Sequence, residues 1–157
     1  MTRVFEGNLV NPKGKFALVV SRFNGLITEQ LLSGAQDALI RHGVAEANID
    51  VVRVPGTFEL PGIVRRLSQG GRYAGIVVLG CVIRGGTPHF EYVAGEVSKG
   101  IGQLALNSDA AITFGVLTCD TLEQALDRAG VKAGNKGAEA AVACIEVVNL
   151  HARLGKP

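Results

Sequence analysis

Along the chain, short unbroken apolar runs alternate with longer stretches whose apolar residues return every three or four positions. Residues 15–21, KFALVVS, do not alternate polar with apolar, and a β-branched run of that length predicts a strand buried on both faces. It ends at Arg22-Phe23-Asn24-Gly25. Ile27, Leu31, Ala35, Ala38 and Leu39 then share one helical face and Gly43 supplies a stop, which predicts a helix over 26–42. The order recurs as a strand at 49–54, a loop at Pro55-Gly56-Thr57 and a helix over 58–69, with Pro61 in its first turn and Gly70-Gly71 behind it.

A third strand is predicted at 75–83, followed by Arg84-Gly85-Gly86-Thr87 and a helix over 88–107. There Thr87 is expected as N-cap and Pro88 as the favoured first helical residue. A fourth strand covers 111–117. Thr121 with Gln124 has the capping-box pattern and starts a short helix ending at Gly130. After a turn over 131–135, a last helix over 136–154 carries Ala138, Ala141, Val142, Ile145 and Val148 as a stripe. Strands apolar throughout and alternating with helices predict an α/β fold, a parallel sheet with helices on both faces. Ligands of such sheets lie beyond the carboxyl ends of the strands. That rule singles out the loops at 22–25, 55–59, 84–89 and 118–121.

Length and composition narrow the class. At roughly 100–200 residues per domain, 157 residues make one domain. With 47% hydrophobic and 19% charged residues, against about 25% charged in an average chain, disorder is excluded. A net charge of +2 is too small to make nucleic acid the expected partner. The mean hydropathy of +0.27 points to apolar surface covered by further copies of the chain. Cys81, Cys119 and Cys144 are odd in number and widely spaced, offering neither a disulfide framework nor paired zinc ligands, so a reducing, cytoplasmic setting is expected. Residues 1–15 have no apolar core of a leader, and the longest uncharged apolar run, 74–83, is about half a membrane span; no membrane partner is expected.

Candidate chemistry gathers in the selected loops. Residues 80–87, GCVIRGGT, have the spacing of a phosphate loop, but glycine stands where that loop has lysine, so nucleoside triphosphate binding is not supported. What remains is either a glycine turn whose amides suit a single phosphate or a tight strand-to-helix connection. His89, expected as the second residue of the helix, sits where the dipole disfavours imidazolium. It is either a neutral proton carrier beside that turn or an exposed histidine; His42 and His151 lack such neighbours and read as surface residues. Phe23 either stacks on a planar ring or covers the helix below it. Thr57 and Glu59 are placed to hydrogen-bond a polyhydroxy or heterocyclic ligand, Glu59 equally to offset a helix dipole. Arg128 either grips phosphate in bidentate fashion or is solvated. GxSxG, HExxH, CxxC and DxDxDG are all absent, and GNKG at 134–137 lacks the strand of a dinucleotide fingerprint.

SRFN at 21–24, VPGTFELP at 54–61, LGCVIRGGTPHFEYV at 79–93, FGVLT at 114–118 and DRAG at 127–130 with the following GNKG together resemble the lumazine synthases of riboflavin biosynthesis, over nearly the whole chain. The resemblance implies a single domain over 1–157, a flavodoxin-like three-layer sandwich around a four-stranded parallel sheet, with 1–14 as an extended N-terminal segment. It implies condensation of 5-amino-6-(D-ribitylamino)uracil with 3,4-dihydroxy-2-butanone 4-phosphate, without cofactor or metal. By that resemblance Phe23 stacks on the pyrimidine beside Asn24. Thr57, Phe58 and Glu59 hold the ribityl side, and Cys81, Val82 and Ile83 line the ring edge. Gly86, Thr87 and Arg128 take the phosphate with Lys136 nearby, and His89 moves protons. Phe114 and Arg128 are typically supplied by a neighbouring subunit. Relatives often carry tryptophan in place of Phe23 and alanine or serine in place of Thr57.

Members of the family form pentamers, decamers or hollow icosahedral shells, and the compact turn at 130–136 resembles the shell formers. A sixty-subunit shell of pentamers is therefore expected, with riboflavin synthase as a candidate guest. Two other functions compete: a flavin or nucleotide carrier without catalysis, and a shell protein that has kept only the fold.

Overall fold

Parallel strands cannot be joined by tight turns and need crossovers of a dozen residues or more, usually helical. The computed structural model, which describes residues 1–157, meets that requirement at every crossover. The strands β1 (Phe16–Ser21), β2 (Ile49–Val54), β3 (Gly75–Ile83) and β4 (Ala111–Cys119) form one parallel sheet in the order β2-β1-β3-β4. The helices between and after them are α1 (Gly25–Arg41), α2 (Leu60–Ser68), α3 (His89–Leu106), α4 (Leu122–Arg128) and α5 (Lys136–Leu154). This is the doubly wound, flavodoxin-like order short of its fifth strand. The chain steps from β1 to β2 on one side and then to β3 on the other, so the order reverses between β1 and β3. Helices α1 and α5 pack on one face with α4, and α2 and α3 on the opposite face.

The central strands bury as their unbroken apolar runs predict: every residue of β1 is buried, and every residue of β3 except Ile83. The expectation of wholly apolar strands fails at β2. It is an edge strand with Val51 and Arg53 exposed; Asp50 accepts hydrogen bonds from the Tyr73 hydroxyl at 2.7 Å and from Arg72 at 3.1 Å. Charge on an edge strand discourages pairing with another chain. On the other edge, β4 runs two residues past its predicted end, with Phe114 exposed at its middle.

Helix ends account for the remaining departures. Residues 57–59 form a 3-10 turn, so α2 begins at Leu60 rather than 58. Thr87 is not the cap of α3: Pro88 occupies that position without a side-chain cap, and His89 is the first helical residue, one position earlier than expected. Thr121 Oγ1 does accept from the Gln124 amide at 3.1 Å, but the return bond reaches the amide of Asp120, at 2.8 Å, instead of Thr121. Helix α5 starts where predicted. Asn135 Oδ1 accepts from the Ala138 amide at 3.0 Å while its Nδ2 donates to the Gln30 carbonyl at 2.9 Å, capping α5 and fastening it to α1. The buried stripe of α5 is rotated from the predicted one and includes Gly137, Ala140 and Cys144, with Ala138 and Val142 half-buried. A Cβ at Gly137 would overlap the Leu31 carbonyl oxygen and lie 2.8 Å from its carbon, so the two helices touch backbone to side-chain-free backbone there.

Residues 1–14 contain no helix or strand. Residues 6–10 lie along α5, held by Asn149 Nδ2 donating to the Asn8 carbonyl at 2.6 Å and Arg153 donating to the Glu6 carbonyl at 2.7 Å, and the Asn11 amide then donates to the His42 carbonyl behind α1 at 2.7 Å. No helix is long and apolar enough to cross a membrane.

Candidate active site

At the point where strand order reverses, the carboxyl ends of β1, β2 and β3 are tied to one atom. Asn24 follows the strand-end turn with φ 58° and ψ 44°, a left-handed conformation that asparagine tolerates better than most residues. From there its Nδ2 donates to the Cys81 carbonyl at 2.8 Å, and the Thr57 hydroxyl donates to the same oxygen at 3.4 Å. Asn24 and Thr57 thus spend a donor each on shaping the floor, and Thr57 is only 5% exposed. Gly80 makes the arrangement possible, since a Cβ there would sit 3.0 Å from the Leu60 side chain, 3.1 Å from Thr57 Oγ1 and 3.2 Å from Ser21 Oγ.

Above this floor lies a cavity of about 490 Å³, within the range of small-molecule sites. Phe23 rests its ring against Gly56, where a Cβ would approach it to 2.6 Å, yet the residue remains 66% exposed. It therefore covers the turn below and still offers ring surface to a ligand. Phe58 and Glu59 project from the 3-10 turn as exposed residues of the wall. Of the three β3 residues, alternation turns only Val82 toward the α2 and α3 side. The Cys81 thiol points into the opposite core, where burial first, and the neighbouring Cys119 second, push it up to about 12. Cys81 faces the cavity with its backbone, and its sulfur is not a reacting group. Ile83 likewise packs against the α1 and α5 core.

His89 opens α3 at the cavity rim and is exposed. Because no side chain caps this helix, its first amides are left for a ligand or water. Gly86 and Thr87 lie outside the lining, separated from His89 by Pro88 alone, and both are exposed. The strand-end rule selected the loop that holds Gly56 but missed Tyr92 and Val93. The latter two stand three and four residues beyond His89 on the same helical face, so the spacing from His89 would have found them.

Three residues named for the site stand apart from this cavity. Phe114 is on the outer edge strand, Arg128 donates to the Gln124 carbonyl of its own helix at 3.0 Å, and Lys136 pairs with Glu139 at 3.0 Å. Within one chain the cavity holds an aromatic surface, a carboxylate and an imidazole, but no cation. An anionic substrate would need its countercharge from elsewhere. No group of His, Cys, Asp or Glu side chains is arranged to hold a metal ion.

Comparison with known proteins bears directly on this cavity. The family model described as 6,7-dimethyl-8-ribityllumazine synthase matches residues 13–152. The protein of that name from Myxococcus xanthus (strain DK1622) is 63% identical over 159 residues, covering 98% of this chain and 95% of its own. One from Anaeromyxobacter sp. (strain Fw109-5) is 66% identical over 147 residues, covering 94% and 90%.

Proposed function

The chain belongs to the 6,7-dimethyl-8-ribityllumazine synthase family, and from that premise we propose how its cavity divides the labour of the family's condensation. The reaction joins 5-amino-6-(D-ribitylamino)uracil to 3,4-dihydroxy-2-butanone 4-phosphate and releases the lumazine, phosphate and water. Phe23 stacks on the pyrimidine, whose edge runs along Val82 and the β3 backbone. Glu59, with the turn around Thr57 and Phe58, holds the ribityl hydroxyls. His89 takes and returns protons as the amine adds to the ketone, phosphate is eliminated and the ring closes. The backbone N–H groups of Gly86, Thr87 and His89 face the phosphate, Pro88 having none to offer. One observation carries this reading: Phe23, Glu59 and His89, from three different strand-end loops, line one cavity where the strand order reverses.

The missing cation points to a second copy of the chain. Arg128 of a neighbouring subunit completes the phosphate site, with Lys136 close by and Phe114 adding its ring. Leu26, Tyr92, Leu106 and Val131 are each exposed on the single chain, apolar side chains that packing into a ring of five would help to cover. The short turn closed by the Ala129–Asn135 bridge supports the sixty-subunit shell over smaller assemblies, with riboflavin synthase as its candidate guest. The three unpaired cysteines fit a cytoplasmic setting.

The two-substrate assay tests this directly: lumazine fluorescence and inorganic phosphate are expected to rise in equal amounts. Binding of the lumazine without phosphate release would leave a carrier instead. Arg128→Ala is expected to raise KM for the phosphorylated ketone at least tenfold, since a charge-assisted hydrogen bond contributes about 1.5–3 kcal/mol, with KM for the uracil within twofold of normal. An unaltered KM for the ketone would remove Arg128 from the phosphate site.

A further inference from the structure

The segment that carries His89 is weakly supported along its own length. Residues 84–89 are all exposed, and a Cβ at Gly85 or Gly86 would meet nothing within 4 Å. The helix that follows has no side-chain cap. Two consecutive glycines without packing leave the backbone many conformations, so something else must decide where the imidazole sits.

Arg84 supplies the constraint. Its amide donates to the Cys119 carbonyl at 2.8 Å, extending the β3–β4 pairing to the start of the segment. Its guanidinium then makes three contacts at once: Nε donates to Asp120 Oδ1 at 2.8 Å, Nη1 pairs with Glu91 in the first turn of α3, and the Cζ lies 4.4 Å from the centre of the Phe90 ring. Residue 84 is thereby clamped to residues 90 and 91, closing the glycine segment into a short ring. The same group joins that ring to the loop that caps α4 through Thr121. An exposed ion pair is weak alone, but a planar fork held on two carboxylates and a ring face has little freedom left.

We infer that Arg84 is a positioning residue: by clamping both ends of the glycine segment it fixes where the His89 imidazole stands over the cavity. This rests on the proton-transfer role proposed for His89. The guanidinium touches no residue of the cavity lining, so its effect passes through the backbone of 85–90.

Arg84→Ala and Arg84→Lys, each alone and combined with His89→Ala, test the inference by steady-state kinetics and thermal melting. Displacing a reacting group by about 1 Å costs up to a hundredfold in rate. Arg84→Ala is expected to lower kcat about tenfold with KM for both substrates within twofold, and its melting temperature should stay near wild type. Lysine keeps the charge but cannot hold three partners in one plane, so Arg84→Lys should match Arg84→Ala. In the His89→Ala background, Arg84→Ala should lower kcat no further.

A tenfold loss that persists without the imidazole would overturn the inference, as would full rescue by lysine or a rise confined to KM for the phosphorylated ketone, both of which mark a simple attraction for phosphate. A crystal structure of Arg84→Ala in which residues 85–89 keep their course would also overturn it. A wild-type kcat in His89→Ala alone would instead remove the role of the ring, and that crystal structure would still decide the clamp.

Discussion

Alanine at His89 should lower kcat by about ten- to a hundredfold while the assembly and its melting temperature stay unchanged. General acid–base groups contribute about 10²–10⁴ in rate, and the expected loss lies at or below the lower end because holding two substrates together supplies much of the acceleration. The side chain is exposed at a helix start and fills no core, so nothing in the packing depends on it. KM for the uracil should hold, because Phe23 and Glu59 bind it from other loops. A turnover within twofold of wild type would remove His89 from the chemistry. If Arg128 acts in a neighbour's cavity, the two defects also complement each other. Unfolding and refolding His89→Ala with Arg128→Ala as a mixture should restore activity at cavities that receive an intact imidazole from one chain and an intact guanidinium from the next. A mixture no more active than its parts would place both groups in the same chain's site.

Adding one methyl group at Gly137 should damage the molecule more than any substitution in the cavity. The new Cβ would overlap the Leu31 carbonyl oxygen, and both groups belong to helix backbones that cannot rotate away. Overpacking of a close-packed core costs about 1–3 kcal/mol and more where backbone must move. With a melting temperature falling by about 2–4 °C per kcal/mol at this chain length, Gly137→Ala is expected to melt about 10 °C lower or to be recovered insoluble. The separation would also pull Asn135 from the Gln30 carbonyl and loosen both ends of the α1–α5 contact. A melting temperature within 2 °C of wild type would show that the helices are farther apart than described.

How far each feature could be read in advance follows from where its information lies. The bounds of β3 and α5 were legible because the signals are local: an unbroken apolar run, and an asparagine followed by a 3.6-residue stripe. The edge position of β2 was not, since Asp50 and Arg53 reveal it only once their partners Tyr73 and Glu29 are folded beside them. Pro88 satisfies the dihedral angles of a cap and of a first helical residue alike, which is why α3 was set one position early. Phe23, Thr57, Glu59 and His89 could be selected because carboxyl ends of parallel strands converge wherever the order reverses. Arg128, Lys136 and Phe114 carry no such signal. Their distance from the cavity of their own chain explains why Phe114 and Lys136 came forward only through likeness to a family, and why Arg128 read equally as a phosphate grip or a solvated side chain.

Cys81 stands on the strand that floors the cavity, yet only its carbonyl shows there. Its thiol and that of Cys144 are both held near 12, and burial pushes Cys119 up as well. Burial thus holds these sulfurs as neutral thiols at neutral pH, and thiolate is the form that electrophiles attack. Iodoacetamide and mild peroxide should therefore leave turnover intact, so oxidative stress would spare this step of the pathway. Alkylation of the three sulfurs would become a clock for whole-chain opening, ticking only when the sheet comes apart.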